Sequence, residues 1–179
     1  GSLVEQVNRR ILVDKSVARL SPTRTHRPEP PAPPEPPFAD LVLGNHLGGF
    51  TQDGSEYVIT TTASQMTPAP WVNVLANPGF GTVVSESGVA YTWHENAHEF
   101  RLTPWGGDPV GATGGEAIYL RDEESGHFWS PAPFPAGGAM AYRTRHGFGY
   151  SVFEHASDGI RSELWVYVDV EDAVKYSVL

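Results

Sequence analysis

The sequence predicts an all-β protein, an antiparallel sandwich or large layered sheet that follows a short helix and a proline-rich linker. Segments rich in β-branched and aromatic residues recur about every 8 to 15 residues from position 38 onward, each bounded by Gly, Pro, Asn or Asp. Several segments alternate apolar and polar residues, as half-buried strands do. No helical period separates them, and this favours antiparallel sheets over alternating strands and helices.

Residues 1–15 are predicted to form the helix. Ser2 and Glu5 have the spacing of a capping box at a helix N-terminus. Apolar residues recur every four positions, at Leu3, Val7 and Ile11. Because a helix of about twelve residues is only marginally stable alone in water, we expect it to dock on another part of the protein.

Residues 16–40 are predicted to form the linker. Seven of the ten residues from Pro28 to Pro37 are proline, which removes backbone donors and fixes φ. The expected conformation is polyproline II, which makes a semi-rigid spacer about 30 Å long. A ligand for a proline-reading domain is the alternative interpretation.

Residues 41–179 are the predicted sandwich domain. Its candidate strands are EYVITTT (56–62), WVNVLAN (71–77), GTVVSE, VAYTW, AIYLRD, GYSVFEH and IRSELWVYVDVE. In the last of these the period of two is unbroken, with Ile160, Leu164 and Val166 on one face. The final segment, AVKYSVL, begins a further strand. Because natural domains cover apolar edge strands, we expect the sandwich to be truncated at its C-terminal end and to continue in a longer protein.

Composition excludes several classes of function. The 12 basic and 21 acidic residues give a net charge of −9, which argues against a nucleic-acid partner. The absence of cysteine excludes disulfides, thiolate zinc sites and cysteine nucleophiles. No apolar run approaches the roughly 18 residues of a membrane helix, and no signal peptide is visible. We therefore expect no direct membrane insertion by this segment and a cytoplasmic location.

The segment HENAH, at positions 94–98, matches the zinc-protease motif H-E-x-x-H. That motif requires a helix, on which residues four apart share a face. Here β-favouring residues precede it and Pro104 follows, so a helix is not expected. In an extended strand, His94 and His98 would lie about 13 Å apart, too far for one zinc ion. We interpret HENAH as a polar loop without a metal, and a zinc hydrolase is the weakest alternative.

No catalytic residues and no cofactor are predicted from the residues alone. The other histidines are scattered through the chain, at His26, His46, His127, His146 and His155. Their spacing supports no Ser–His–Asp arrangement. The glycine-rich segment GDPVGATGGEA lacks the strand-to-helix context of a phosphate-binding loop.

Aromatic residues mixed with polar ones are more informative. In YTWHENAHEFRLTPWGGDPV and SGHFWSP, Trp and Tyr lie next to Asn, Glu, Arg and Asp. This mixture is typical of sugar sites, where ring faces meet C–H surfaces and planar polar groups meet hydroxyls. Trp93 and Trp105 are the candidates for exposed rings, whereas Trp71, Trp129 and Trp165 are predicted to fill the core.

Five ordered motifs carry a family resemblance: LGNHLGGFTQDGSEYVI, TPAPWVNVLANPGFGTVVSESGVAYTW, NAHEFRLTPWGGDPV, GEAIYLRDEESGHFWSP and RHGFGYSVFEH. From about Leu41 to Leu179 the chain resembles the N-terminal β-domain of glycoside hydrolase family 94. Specifically, it resembles the phosphorylase-like region of cyclic β-1,2-glucan synthases.

The resemblance implies a large β-sandwich, or supersandwich, that precedes an (α/α)6 barrel. In the family the barrel carries the general acid, an aspartate, and binds phosphate. The sandwich supports the barrel, contributes to homodimer contacts and sends a loop toward the sugar site. The parent protein is then a glycosyltransferase or glycoside phosphorylase, anchored in the bacterial inner membrane by other segments if at all, and this chain alone is not catalytic.

The resemblance also selects site residues for a β-glucan oligosaccharide. The matching loop runs from Asn96 to Arg101 and is followed by LTPW. Related sequences there read more like N-S-R-E-N-R, so Asn96, Glu99 and Arg101 match while His98 and Phe100 depart. The predicted substrate-binding residues are Trp93, Asn96, Glu99, Arg101, Trp105 and Asp108. A self-sufficient carbohydrate-binding module is the alternative function.

Overall fold

The computed structural model describes residues 40–106 and 114–179. The predicted helix (1–15) and the predicted linker up to residue 39 lie outside the described residues. The division of the chain at residue 41 stays a prediction. The described part contains no helix long and apolar enough to span a membrane.

The described residues form eleven strands, and every strand pair is antiparallel. The strands are β1 (Gly48–Phe50), β2 (Glu56–Thr61), β3 (Val72–Ala76), β4 (Phe80–Ser85), β5 (Ala90–His94), β6 (Leu120–Arg121), β7 (Phe128–Trp129), β8 (Tyr142–Gly147), β9 (Tyr150–Ser157), β10 (Ile160–Val168) and β11 (Lys175–Val178). This confirms the predicted all-β class.

The strands make one large sheet and two small ones. Six strands form the large sheet in the order β1-β2-β8-β9-β10-β11. The chain leaves this sheet after β2, builds the three-stranded sheet β3-β4-β5 and the two-stranded sheet β6-β7, and returns at β8. The last four strands of the large sheet therefore follow one another as a meander.

The three-stranded sheet packs face to face on β9 and β10 of the large sheet. Leu75, Val84 and Ala90 come from the small sheet, and they join one buried cluster with Phe153 and Leu164 of the large one. Because fully burying each large apolar side chain contributes about 1.5 to 3 kcal/mol, this cluster is the main stabilising contact between the sheets. A two-layer sandwich results.

Most predicted strands are confirmed. EYVITTT corresponds to β2, WVNVLAN to β3, GTVVSE to β4, VAYTW to β5, GYSVFEH to β9, IRSELWVYVDVE to β10 and AVKYSVL to β11. AIYLRD yields only the two residues of β6. Sequence reasoning missed β1, the two-residue β7 and, more importantly, β8, whose segment YRTRHG lies near the middle of the large sheet.

The strand β8 is polar because its outward side chains have charged partners on neighbouring strands. Arg145 contacts Glu56 of β2 (Nη1 to Oε1, 2.7 Å) and Glu154 of β9 (Nε to Oε1, 3.1 Å). Arg143 contacts the other oxygen of Glu154 at 3.2 Å. These four charges lie on the outer face of the large sheet.

The predicted packing of three tryptophans is confirmed for one of them. Trp129 is buried, with 2% of its surface exposed. Trp165 alternates with buried Leu164 and Val166 along β10, so it lies on the outer face of the large sheet and is only partly buried. The core-filling prediction is therefore wrong for Trp165. Trp71 precedes β3 and is also only partly buried.

Candidate functional site

An aromatic cluster lies on the outer face of the three-stranded sheet. Along β5, Tyr91 and Trp93 alternate with buried Thr92, so both rings point away from the core. The Tyr91 ring centroid is 5.5 Å from that of Trp93 and 5.1 Å from that of Trp105. The guanidinium of Arg101 lies 5.6 Å from the Tyr91 centroid, within cation–π range. We call these four residues the Tyr91 cluster.

A glycine on the adjacent strand leaves the space that the Trp93 ring occupies. Gly81 of β4 is directly opposite Trp93 in the register of the sheet. A Cβ atom on Gly81 would be 2.3 Å from Cζ2 of Trp93, which is closer than any real contact. The indole therefore lies over the glycine, and only glycine leaves room for it there.

The segment after β5 is a tight loop that folds back on the strand. Glu95 has a φ of 57°, in the left-handed region that asparagine and glycine adopt more readily than glutamate. The Asn96 Oδ1 atom accepts hydrogen bonds from the backbone N–H groups of His98 (2.8 Å) and Glu99 (2.9 Å). A backbone bridge then pairs Arg101 with Trp93. The loop that follows β5 thus places Arg101 beside Trp93 of the same strand.

The structure brings three of the six predicted site residues together: Trp93, Arg101 and Trp105 surround Tyr91. Asn96 shapes the loop backbone, and the exposed Glu99 contacts the imidazole of His98. Asp108 lies outside the described residues. Sequence reasoning missed Tyr91, although its position two residues before Trp93 in a strand was the available signal.

The residues of HENAH lie at the end of a strand and in a turn, as predicted. The His94 ring packs edge-on against Phe100, with centroids 5.6 Å apart. The His98 Nδ1 atom contacts Glu99 Oε1 at 2.6 Å, and both side chains are exposed. Within the ranges that the structure describes, no group of three or more histidines and carboxylates is placed to hold a metal ion.

A half-buried ion pair between Glu116 and Lys175 holds Thr92 and Thr103, which are neighbours in the chain of the Tyr91 cluster residues. Glu116 Oε1 accepts hydrogen bonds from the hydroxyls of Thr92 (2.5 Å) and Thr103 (2.7 Å), and Oε2 contacts the ammonium of Lys175. Lys175 also donates to the Thr82 hydroxyl at 3.2 Å. Burial alone would raise the pKa of Glu116, but the Lys175 charge and these hydrogen bonds together hold that pKa below its ordinary value.

This anchor connects the cluster to both sheets. Thr92 belongs to β5 of the small sheet and Lys175 to β11 of the large one. Thr103 lies between Arg101 and Trp105, and its hydroxyl also accepts a hydrogen bond from the Thr92 backbone N–H at 2.8 Å. The positions of Arg101 and Trp105 therefore depend on residues far away in the sequence.

The chemistry of the Tyr91 cluster is that of binding. It offers partly exposed aromatic faces for a ring with C–H surfaces and a guanidinium that presents several donors in a plane. Burial is the largest single influence on the pKa of the Glu86 and Glu116 carboxylates. Each is hydrogen-bonded to the fold itself: Glu86 accepts from the Thr67 hydroxyl and from the Trp71 N–H.

Comparisons with known proteins identify the family of the chain. A family model described as the supersandwich domain of glycosyl hydrolase 94 matches residues 55–179. The chain is 41% identical over 125 residues to a cyclic beta-(1,2)-glucan synthase of Rhizobium meliloti (strain 1021), and the match covers 69% of this chain and 4% of that protein.

Several phosphorylases are also similar, among them the following two. An N,N'-diacetylchitobiose phosphorylase of Vibrio proteolyticus is 33% identical over 136 residues, covering 74% of this chain and 17% of the relative. A solabiose phosphorylase of Paenibacillus borealis is 34% identical over 136 residues, covering 72% of this chain and 17% of the relative. The chain therefore spans less than a fifth of the length of each of these three relatives.

Proposed function

The chain belongs to glycosyl hydrolase family 94 as a supersandwich domain, and from this membership we propose that it is the non-catalytic β-sandwich part of a carbohydrate-active enzyme. The parent enzyme in this proposal is a cyclic β-1,2-glucan synthase or a related glycoside phosphorylase. The names of the three similar proteins support it, since one is a glucan synthase and the other two are phosphorylases of chitobiose and solabiose.

The sandwich has two roles in the proposal. It supports an (α/α)6 catalytic barrel of the parent protein, and it contributes the loop 94–105 to a β-glucan site. The observation that carries the second role is the convergence of Trp93, Arg101 and Trp105 on Tyr91. Pyranose rings present C–H faces to aromatic rings and hydroxyls to a forked donor, so these groups match a saccharide.

The other proposed partners follow from the family. They are the barrel itself and a second copy of the protein in a homodimer. The proposed location is the bacterial cytoplasm, with the parent held at the inner membrane by other segments. The net charge of −9 supports the further proposal that nucleic acid is not a partner.

The 179-residue chain is expected to show no turnover of β-1,2-glucan, with or without phosphate. The reason is that the described carboxylates with the deepest burial, Glu86 and Glu56, serve the fold: Glu86 accepts from the Trp71 N–H and Glu56 pairs with Arg145. Release of glucose 1-phosphate or of shortened glucan, followed by chromatography, is the measurement. Turnover by this chain would contradict the non-catalytic role.

In the intact parent enzyme, Arg101→Ala is expected to lower kcat/KM for the glucan about 10-fold, equivalent to about 1.4 kcal/mol. The variant removes both the charge over Tyr91 and the planar set of donors. Arg101→Lys retains the charge but not the fork, so an intermediate loss is expected. Tyr119→Ala, which removes an exposed ring outside the cluster, is the control. An unchanged kcat/KM for Arg101→Ala would show that this residue does not contact the glucan.

Gly81→Ala is expected to weaken glucan binding and, because its methyl group would also lie 2.8 Å from the Cβ of Ala76, to require a small shift between β3 and β4. The added methyl group would occupy the space of the Trp93 indole, only 2.3 Å from Cζ2, so the ring must move off the strand. Titration of glucan followed by tryptophan fluorescence would show a Kd raised about 5- to 10-fold. Gly79→Ala adds a methyl group with no atom within 4 Å of it and is the matched control. Equal affinity for both variants would contradict the role of Trp93.

A self-sufficient carbohydrate-binding module is the second candidate. It is favoured by the fact that the whole Tyr91 cluster comes from this one chain. The same titration separates the two functions. A glucan affinity of the isolated chain equal to that of the intact enzyme supports a module, whereas much weaker binding by the isolated chain supports a site shared with the barrel.

A further inference from the structure

A second aromatic surface lies on the outer face of the large sheet. Tyr150 of β9, Tyr167 of β10 and Tyr176 of β11 are direct neighbours in one row across three strands. Trp165 lies two residues before Tyr167, on the same side of β10. The centroids of Tyr150 and Trp165 are 5.3 Å apart, and those of Tyr167 and Tyr176 are 5.0 Å apart. We call these four residues the aromatic face.

The aromatic face and the Tyr91 cluster are on opposite sides of the sandwich. Trp165 and Tyr167 alternate with Val166, which packs in the shared core against residues of the small sheet. Tyr91 and Trp93 alternate in the same way with the buried Thr92 on the other side of that core. The two sets of rings therefore point away from the core in opposite directions.

Two of the four rings of the aromatic face are hydrogen-bonded to neighbouring carboxylates before any ligand arrives. Tyr150 lies across Gly147 of β8, where a Cβ atom would be 2.4 Å from its ring, and its hydroxyl donates to Glu56 Oε1 at 2.7 Å. The indole N–H of Trp165 donates to Glu163 at 2.5 Å. Fixed rings lose little conformational freedom on binding, and this favours affinity.

A groove of about 660 Å³ runs beside these rings. Its lining includes Tyr150, Trp165 and Tyr167, and the exposed ring of Phe148 lies at one side. The opposite wall is fixed by Asn77, whose side-chain amide donates to the backbone oxygen of Asp169 at 2.9 Å. The volume is within the range of about 300 to 1,000 Å³ that is usual for small-ligand sites.

The charges beside the aromatic face are paired in part and leave an excess of carboxylates. Arg145 lies 5.6 Å from the Trp165 ring centroid and is held by Glu56 and Glu154. Arg143 also pairs with Glu154. These two guanidinium groups and two carboxylates balance one another, but Glu163 beside the Trp165 indole and Asp169 beside the Tyr176 hydroxyl (3.4 Å) add negative charge. The surface therefore offers ring faces together with carboxylate acceptors, and this composition favours a polyhydroxyl ligand over an anionic one.

We propose that the aromatic face and its groove form a second saccharide-binding surface, which holds a neutral β-linked glucan chain away from the Tyr91 cluster. The choice of glucan rests on the proposed function, whereas the existence of the surface rests on Tyr150, Trp165, Tyr167 and Tyr176. Such a surface would retain a long glucan on the protein while one part of it is at the reaction site. It explains why the outer face of β10 carries two large rings rather than charged residues alone.

The test uses NMR of the 179-residue chain titrated with a linear β-1,2-gluco-oligosaccharide. The backbone N–H signals of Trp165, Tyr167 and Tyr176 and the indole N–H signal of Trp165 are expected to shift. Tyr167→Ala is expected to raise the Kd measured at the remaining signals about 5- to 10-fold. Tyr176→Ala, at an exposed edge position, is the second variant should Tyr167→Ala unfold the chain. Tyr119→Ala is the control for loss of an exposed ring, and N,N'-diacetylchitobiose is the comparison ligand.

Each outcome separates this proposal from the proposed function. Shifts confined to residues 91–105 would overturn the second surface and leave the role of the Tyr91 cluster intact. Shifts confined to the aromatic face would support the second surface and overturn that role. Shifts of the aromatic face that depend on protein concentration in the absence of sugar would identify it as a contact between copies, and would also overturn the proposal.

Discussion

Lys175→Met is expected to lower the free energy of unfolding by about 2 to 3 kcal/mol, slightly below the loss of about 3 to 5 kcal/mol that follows removal of one partner from a fully buried pair. The side chains of Lys175 and Glu116 are 14% and 25% exposed, so water reaches the pair to a limited extent. The variant would leave the Glu116 carboxylate without a cation in a site that already disfavours charge. Urea unfolding followed by tryptophan fluorescence is the measurement.

A second consequence is expected at the Tyr91 cluster. Glu116 holds Thr103, and Thr103 lies between Arg101 and Trp105. When Glu116 loses its cation, it becomes protonated more readily or moves toward water, and the loop loses this anchor. We therefore expect Lys175→Met to raise the Kd for glucan as well as to lower stability, although Lys175 itself belongs to the other sheet.

The double variant Lys175→Met, Glu116→Gln separates the effect of the unpaired Glu116 charge from that of the hydrogen bonds that this side chain accepts. A glutamine oxygen can still accept from Thr92 and Thr103, and no unpaired charge remains, so most of the lost stability is expected to return. Glu123→Gln, at an ion pair whose carboxylate is 82% exposed, is the control and should change stability by less than about 1 kcal/mol. A double variant no more stable than Lys175→Met would show that the charge is not the cause.

The sequence allowed most strands to be predicted wherever burial imposes a pattern of period two. In β10 the buried Leu164 and Val166 alternate with outward residues, and the prediction succeeds. In β8 only Tyr142 and Thr144 are both inward and buried, while the outward positions are Arg143, Arg145 and Gly147. That segment becomes a strand because its charges meet partners from β2 and β9, up to 89 residues away in the chain. One sequence does not reveal such pairing.

The candidate site was predictable only in part for a related reason. Trp93, Arg101 and Trp105 are near one another in the chain, so their common loop could be inferred. The contact of Glu116 with Lys175 spans 59 residues and depends on how the two sheets pack. The same limit explains Trp165, because alternation within one strand shows that two faces exist but does not show which face the rest of the fold will cover.

Acidification from pH 6.5 to pH 4 is expected to lower the free energy of unfolding by about 3 kcal/mol through His146 alone. Burial lowers the pKa of this imidazole from 6.5 to about 4, and only the hydrogen bond with the Trp71 backbone oxygen opposes that effect. Its Nδ1 atom lies 2.9 Å from the Ser151 hydroxyl. The ring is therefore held neutral between the two sheets at neutral pH.

The direction of this change in stability follows from proton binding in the folded and unfolded chains. In the unfolded chain the imidazole takes up a proton near pH 6.5, whereas the folded chain resists protonation down to about pH 4. Between these values the unfolded state binds more protons, so stability falls as the pH falls. Well above pH 6.5 the imidazole is neutral in both states, so this group contributes no pH dependence to the stability. His155, whose pKa is also lowered by burial, adds to the loss in the same direction.

His146→Gln isolates the contribution of this residue. A glutamine can donate to the Trp71 oxygen and accept from Ser151, yet it does not titrate. We therefore expect the variant to lose much of the slope of stability against pH between 6.5 and 4, as measured by urea unfolding at a series of pH values. His46→Gln, at an exposed position, should retain the slope of the parent chain. If the free energy of unfolding of the parent chain depends on pH only below pH 4.5, the loss of stability in acid belongs to carboxylates instead. Glu116 is one of these, because its lowered pKa means that it loses its stabilising charge only in that lower range.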